Sequence, residues 1–450
     1  MMRRILPILA WMCLPAALPV RSEIAGAGAG STLALRAGFD SRLYVVGGKA
    51  WLYVEIKGIK DDDDSARIPL NLSLVLDRSG SMSEEKKLDY LKRACGMLLD
   101  NLRPNDYLSV IAYSTEVETL RKSGRLDHKE IIRKKIQALT PTNSTNLSGG
   151  MLRGFEEAKS TRREKFVNRV LLISDGLANE GVTDVGKLQA LAKAKYREEG
   201  IAISTFGLGQ DYNEDLMTNL AEAGKGNYYF IASPDGIAEI FRKELNGLSS
   251  VVAQNVRLRL VLPEAGVKVA RVYGYEGETG AAGLAVDFND VFSEETKAVL
   301  IEMDLAAARP SLAFEVKLDY DDVNKSFGKK SESLRLRLDK TADSLERARA
   351  ADAEVERNVV LFQSIDNFEQ AVKCVDNREW DKARSILVSN KRFMDARFKT
   401  LEPDSSLLKQ YEQNESYEKG LAGIRAQSAR ERSLFQKSSK IMSYERKKKR

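Results

Sequence analysis

The residues whose types and spacing fit metal chemistry begin with an aspartate and two serines, Asp77, Ser79 and Ser81. They directly follow a short apolar run that ends at Leu76 and is typical of a buried strand. In an open parallel sheet, ligands bind beyond the carboxyl ends of the strands, so position alone places Asp77 at a candidate site. Carboxylate and hydroxyl oxygens are hard ligands, suited to Mg²⁺, Mn²⁺ or Ca²⁺.

Two further polar segments are predicted to end at the same edge of the sheet. Thr145 lies just before a helix that is expected to start near Leu147, and Asp175 follows the apolar run Val170–Ile173. Three loops would therefore bring Asp77, Ser79, Ser81, Thr145 and Asp175 together. Mg²⁺ needs six oxygens and usually keeps some waters. Because this set carries little negative charge, a carboxylate from a partner protein would be a good final ligand.

The elements that must position these side chains alternate between strands and helices over residues 68–247. Strand-like runs such as Tyr107–Tyr113 are followed by helical stretches such as Val185–Glu199. The purely apolar run Val170–Ile173 is typical of a strand that is covered on both faces. Alternation at these lengths predicts an α/β fold with a doubly wound, mostly parallel sheet.

The flanking segments have different patterns. Residues 250–340 alternate apolar and polar positions between Gly, Pro, Asp and Asn, which predicts a β-sandwich. Strand-like runs at 32–60 fit the same sandwich, which predicts that the α/β domain is inserted into it. The alternative is that the sandwich simply follows the α/β domain. Residues 342–450 are rich in Ala, Glu, Arg and Lys at helical spacing, so we expect an α-helical C-terminal region.

The metal-site pattern resembles the von Willebrand factor A family, whose metal-ion-dependent adhesion site combines Asp-x-Ser-x-Ser with a later Thr and a later Asp. Those positions here are Asp77, Ser79, Ser81, Thr145 and Asp175, and the resemblance covers residues 68–247. It implies a divalent cation, Mg²⁺ or else Mn²⁺ or Ca²⁺, that the first four residues approach directly or through water. The resemblance implies that Asp175 often acts through water. The whole chain is similar to exported bacterial proteins of this family.

The first residues are typical of a secretory signal. Arg3 and Arg4 precede an apolar run, Ile5–Val20, which prolines interrupt. Small residues near Ser22 fit the cleavage rule, so residues 1–22 are predicted to be a signal peptide. We therefore expect an exported protein, periplasmic or at the cell surface. The alternative is an uncleaved membrane anchor, and peripheral membrane association stays open.

Composition and motifs argue against several other functions. A net charge of +6 among 71 basic and 65 acidic residues does not predict nucleic-acid binding. His128 is the only histidine, and the sequence has no Gly-x-Ser-x-Gly elbow, P-loop or Rossmann glycine signature. We therefore expect no enzyme, no catalytic residues and no small-molecule substrate. The acidic run Asp61–Asp64 should lie at the opposite end of the sheet from Asp77, as an ordinary loop.

Only Cys95 and Cys374 would remain after removal of the signal. Two distant cysteines do not make a disulfide scaffold, so two buried free thiols are predicted, with one long-range bridge as the alternative.

Two functional hypotheses remain from the sequence. The first is a metal-dependent protein-binding module for adhesion or assembly, whose partner offers an Asp or Glu to the metal at the Asp77 face. The second is a structural or assembly factor whose helical C-terminal region makes the main partner contact, while the metal only stabilises the fold.

Overall fold

The computed structural model describes residues 23–25, 31–60, 68–163, 165–175, 178–209, 213–231, 236–263, 266–280, 283–324, 327–426, 436 and 439–440. The predicted signal segment 1–22 and the acidic run Asp61–Asp64 lie outside these residues. Within the described part, no helix is both long and apolar enough to cross a membrane.

Four strands come before the α/β part of the chain. They are β1 (Glu23–Ala25), β2 (Leu33–Phe39), β3 (Leu43–Tyr44) and β4 (Gly48–Gly58). The α/β part contains six strands: β5 (Leu70–Asp77), β6 (Tyr107–Tyr113), β7 (Val117–Arg125), β8 (Val167–Ser174), β9 (Ala202–Leu208) and β10 (Lys225–Ile231). Its helices are α1 (Lys87–Asn101), α2 (Lys129–Gln137), α3 (Leu147–Ser160), α4 (Val185–Glu199), α5 (Glu214–Ala223) and α6 (Ile237–Ser249).

The six strands form one sheet in the order β10-β9-β8-β5-β6-β7. Neighbouring strands are parallel except for β7, which runs antiparallel to β6 at the edge. Every residue of β5 and of β8 is buried, because helices cover both faces of the sheet. Side chains from α1, α2 and α6 join the hydrophobic cluster on one face, and side chains from α3, α4 and α5 join the cluster on the other. The predicted doubly wound, mostly parallel sheet is confirmed.

The edge strand β7 is the element of this sheet that the sequence pattern does not indicate. Its sequence, VETLRKSGR, is mostly polar, and only Leu120 is buried. Charged side chains on an edge strand discourage pairing with other chains. They also replace the apolar residues from which a strand is predicted in the sequence.

Eight strands follow the α/β part. They are β11 (Val251–Val261), β12 (Val267–Tyr273), β13 (Gly277–Gly280), β14 (Gly283–Asp287), β15 (Val291–Phe292), β16 (Thr296–Leu305), β17 (Ser311–Asp322) and β18 (Gly328–Lys340). One sheet has the order β1-β2-β4-β16-β12 and the other has the order β13-β14-β11-β17-β18-β3 with β15 paired to β11. Both sheets contribute to a single hydrophobic cluster. Strand β4 pairs with β16 over ten residues, so the α/β part is inserted between strands of one sandwich.

The C-terminal part of the described chain is helical. Its helices are α7 (Ser344–Arg349), α8 (Ala353–Asp376), α9 (Trp380–Phe398) and α10 (Ser405–Ala426). Helix α8 attaches this group to the sandwich, because Val355, Val359 and Phe362 pack with Tyr53 and Tyr273 of the first sheet. Cys95 in α1 and Cys374 in α8 are both buried free thiols.

A buried polar network joins the α/β part to the sandwich. Arg169 at the start of β8 forms an ion pair with Asp290, and their side chains are 1% and 3% exposed. Arg169 also donates to Ser204 Oγ over 3.4 Å, and Ser204 donates to Glu244 of α6 over 2.5 Å. Burial raises the pKa of Asp290 even though Arg169 lies beside it. The pair is therefore costly to bury, and removal of one partner would leave a buried charge without compensation.

We expect Asp290→Ala to lower the free energy of unfolding by about 3 kcal/mol or more, because Arg169 would stay buried without its counter-charge. The matched control is Asp319→Ala, which breaks the ion pair with Arg259 between side chains that are 35% and 52% exposed. That change should cost less than about 1 kcal/mol, because water already screens the pair. Urea unfolding followed by circular dichroism measures both values. Equal losses of unfolding free energy in the two variants would show that the Arg169–Asp290 pair does not stabilise the contact between the α/β part and the sandwich.

Candidate metal centre

The two aspartates of the predicted site lie at the carboxyl ends of neighbouring parallel strands in the middle of the sheet. Leu76 of β5 lies opposite Ile173 of β8, so Asp77 and Ser174 follow at the same level, and Asp175 comes one residue later. Register therefore brings these side chains together, although they are almost a hundred residues apart in sequence. This is the edge at which open α/β sheets bind ligands.

The loop after β5 is held against Asp77 by its own backbone. Ser79 N donates to Asp77 Oδ1 over 2.8 Å, and the short 3₁₀ segment Gly80–Lys86 begins next. The hydroxyl oxygens of Ser79 and Ser81 lie 3.2 Å apart. The two serines thus present their hydroxyls side by side.

Asp77 is a fully buried carboxylate whose hydrogen-bond donors among the described residues are neutral. Its Oδ2 accepts from Ser174 Oγ over 2.7 Å and from the Tyr113 hydroxyl over 3.3 Å. Among the described residues, no lysine or arginine forms an ion pair with it. Burial is the main cause that raises the pKa of Asp77 to about 6. A buried anion of this kind is a good counter-charge for a cation.

Asp175 differs from Asp77 because it has a cationic partner. Its Oδ1 accepts from Ser81 Oγ over 2.8 Å, and its Oδ2 accepts from Lys87 Nζ over 2.8 Å. The side chains of Lys87 and Asp175 are 6% and 0% exposed. Lys87, Tyr113 and Ser174 thus contact the two aspartates but are not among the five residues that the sequence predicts for the site.

Thr145 comes to the site on a third loop. The backbone ties this loop to the serine loop, since Thr142 N donates to Arg78 O over 2.7 Å and Gly80 N donates to Asn143 O over 3.0 Å. Thr145 itself is buried, and its backbone N–H donates to Asn179 Oδ1 over 2.7 Å. Among the described residues, side-chain hydrogen bonds join Ser79 to Ser81, Ser81 to Asp175, and Asp77 to Ser174. None of these bonds includes the Thr145 hydroxyl.

The oxygens gathered here fit a hard divalent cation. They comprise the Asp77 carboxylate, the hydroxyls of Ser79 and Ser81, the nearby Thr145, and Asp175 behind Ser81. No group of three or more Asp, Glu, His or Cys side chains that could hold a metal occurs in the described residues, so hydroxyls and waters would have to supply most of the ligands. Mg²⁺ and Mn²⁺ accept such a set of oxygen ligands, whereas a soft metal ion, which prefers sulfur ligands, would not.

The two aspartates should respond in opposite directions to loss of charge in the metal-free protein. The pKa of Asp77 is about 6 in the fold against an ordinary 3.8, so its contribution to stability is fully present below pH 3.8 and is lost as the pH rises through 6. At pH 7.5, where Asp77 is ionised in both states, the raised pKa therefore lowers the free energy of unfolding by about 3 kcal/mol. Asp77→Asn should therefore raise the free energy of unfolding in the presence of chelator, by about 2 kcal/mol after changes in hydrogen bonding.

The matched control is Asp175→Asn, which removes the counter-charge 2.8 Å from buried Lys87 and leaves the exposed carboxylate of Glu84 at 4.0 Å as a weak substitute. It should lower the same free energy by about 3 kcal/mol. Urea unfolding at pH 7.5 with EDTA measures both variants. Shifts of the same sign would contradict the difference in charge balance between the two carboxylates.

Comparison with known proteins identifies the type of the α/β part. Residues 71–243 match the profile of the von Willebrand factor type A domain. The chain is 30% identical over 217 residues to the uncharacterized protein YfbK of Escherichia coli, covering 48% of this chain and 38% of that protein. It is 28% identical over 274 residues to the uncharacterized protein sll0103 of Synechocystis, covering 58% of this chain and 64% of that protein. The chain thus spans less than two thirds of the length of either relative.

Among solved structures, a von Willebrand factor type A protein from Catenulispora acidiphila superposes with a TM-score of 0.67 at 16% sequence identity. The superposition covers 87% of this chain and 89% of that chain, so the shared fold extends beyond the α/β part. The α/β part of this chain is a von Willebrand factor type A domain.

Proposed function

We propose that the chain is an exported, metal-dependent protein-binding module of the cell envelope, and that its partner supplies an aspartate or glutamate to a divalent cation at the Asp77 edge. Domains of this type are in general protein-interaction or adhesion modules. The observation that carries the proposal is the buried Asp77 carboxylate, which lacks a cationic partner among the described residues and lies against the loop that holds the adjacent hydroxyls of Ser79 and Ser81.

The ligand set explains why a partner carboxylate would bind. Asp77 would bring one negative charge to the cation, Ser79, Ser81 and Thr145 would bring neutral oxygens, and Lys87 already neutralises Asp175. A divalent ion in such a site keeps a net positive charge and exchangeable waters. An acidic side chain of the partner can replace one water and gain a strong electrostatic attraction.

The location and the non-enzymatic role belong to the proposal as well. The positive start and apolar run of residues 1–22 support export to the periplasm or the cell surface. The one histidine, His128, is exposed at the start of α2 and does not support a hydrolytic site.

We expect Thr145→Ala to weaken partner binding by about tenfold or more, because the cation would lose an oxygen that orients it. The fold should persist, since Thr145 lies on a loop and its backbone hydrogen bond to Asn179 does not depend on the side chain. A partner captured from a cell-envelope extract in Mg²⁺ would be titrated against wild type and variant. EDTA should abolish its binding and added Mg²⁺ should restore it.

The control variant is Ser144→Ala, which changes a neighbouring, half-buried loop hydroxyl and should leave affinity unchanged. Binding that persists in EDTA and in Thr145→Ala would place the contact elsewhere. The helical C-terminal region would then be the candidate surface, and the chain would be a structural or assembly factor whose metal only stabilises the fold.

A further inference from the structure

Lys87 is a buried lysine whose ammonium group lies at the candidate metal centre. Its Nζ donates to Asp175 Oδ2 over 2.8 Å, while the other oxygen of Asp175 accepts from Ser81. Asp175 has therefore committed both of its oxygens before any metal binds. A second acidic side chain, Glu84, lies 4.0 Å from Nζ but is 68% exposed, so water weakens that contact.

The position of Lys87 is tightly defined by its surroundings. It is the first residue of α1, and its chain passes beside Gly209 at the end of β9. A Cβ atom at Gly209 would lie 3.0 Å from Lys87 Cε and 3.4 Å from Nζ, and Gly209 has φ +77°. A glycine at this point leaves room for the lysine to reach Asp175, so its ammonium group is held rather than free to turn to solvent.

This contact makes the two carboxylates of the site unequal. In the part of the chain that the structure describes, the hydrogen-bond donors to Asp77 are neutral, whereas the charge of Asp175 is cancelled by a fixed cation. With two free carboxylates, a bound divalent ion would be almost neutralised by the protein. With Asp175 paired to Lys87, the protein neutralises only about half of the charge of the divalent ion. Burial of the site reduces the screening of the charge that remains.

We infer that Lys87 is a positioning residue that holds Asp175 away from direct coordination, lowers the affinity of the free protein for metal, and so strengthens the preference of the metal-loaded site for an acidic ligand. This inference rests on the proposed function and specifies how its site selects a carboxylate. Metal and partner would then bind together more tightly than either binds alone.

The test is a titration of the full chain with Mn²⁺ alone, with free Mn²⁺ followed by electron paramagnetic resonance. Lys87→Met removes the charge at similar length, and it should bind Mn²⁺ at least about tenfold more tightly because Asp175 becomes a free carboxylate. Lys87→Arg keeps the charge and should bind Mn²⁺ much as wild type does. An affinity of Lys87→Met equal to or below that of wild type overturns the inference.

A double variant keeps the test decisive if Lys87→Met alone folds poorly. Asp175→Asn should weaken Mn²⁺ binding by about tenfold, because Lys87 would repel the ion without compensation. Lys87→Met/Asp175→Asn removes both charges together and should return the affinity to near the wild-type value. If Asp175 instead binds the metal with its full charge, the double variant will stay as weak as Asp175→Asn, and the inference fails.

Acetate provides the second readout, because it mimics the partner carboxylate. Added to the Mn²⁺-loaded protein, it should displace bound water from wild type at lower concentration than from Lys87→Met, as measured by water-proton relaxation. Equal acetate affinities overturn the ligand preference. Absence of Mn²⁺ binding in both proteins would reject the proposed metal site itself, whereas equal Mn²⁺ binding in both would reject only the role of Lys87.

Discussion

The parallel register between β5 and β8 is the constraint on which the candidate centre depends. Because Leu76 lies opposite Ile173, the residues that follow both strands emerge at the same edge of the sheet. The third loop reaches the same edge through backbone hydrogen bonds to the serine loop. Complete burial of the two strands makes a slip in register costly, since apolar side chains cover both of their faces. The geometry of the site is therefore a consequence of the core.

Charge balance adds a second level of organisation. Burial of a carboxylate is unfavourable unless it is paired, and the chain treats its two site carboxylates differently. Asp175 is paired with Lys87, and the pair is internally neutral. The donors to Asp77 from the described residues are hydroxyl and amide groups, and burial raises its pKa to about 6. The fold thus carries a destabilising charge at one defined point, which is a common property of sites that bind a ligand. A cation at this point would relieve that cost.

Much of the α/β fold could be predicted from sequence because its strands are buried on both faces and its helices are amphipathic. The same patterns place Asp77 and Asp175 at strand ends, and the spacing of Ser79 and Ser81 supports a shared ligand. The edge strand β7 could not be predicted, since its polar sequence lacks a buried face. Neither could the pairing of Lys87 with Asp175, because a lysine at a helix start normally points to solvent, and this contact depends on the fold bringing the start of α1 beside the end of β8. The Arg169–Asp290 pair joins parts of the chain 121 residues apart and has no local signal.

The central claim is that the three loops bind a divalent cation through hydroxyl oxygens and Asp77. Crystals of the full chain grown with MnCl₂ and measured at the manganese absorption edge test it most directly. The proposed site predicts one anomalous peak within about 2.5 Å of the hydroxyl oxygens of Ser79 and Ser81, with at least one further position filled by water or by a carboxylate of a neighbouring molecule. A peak elsewhere with none at this edge, or no peak at saturating Mn²⁺, would contradict the claim.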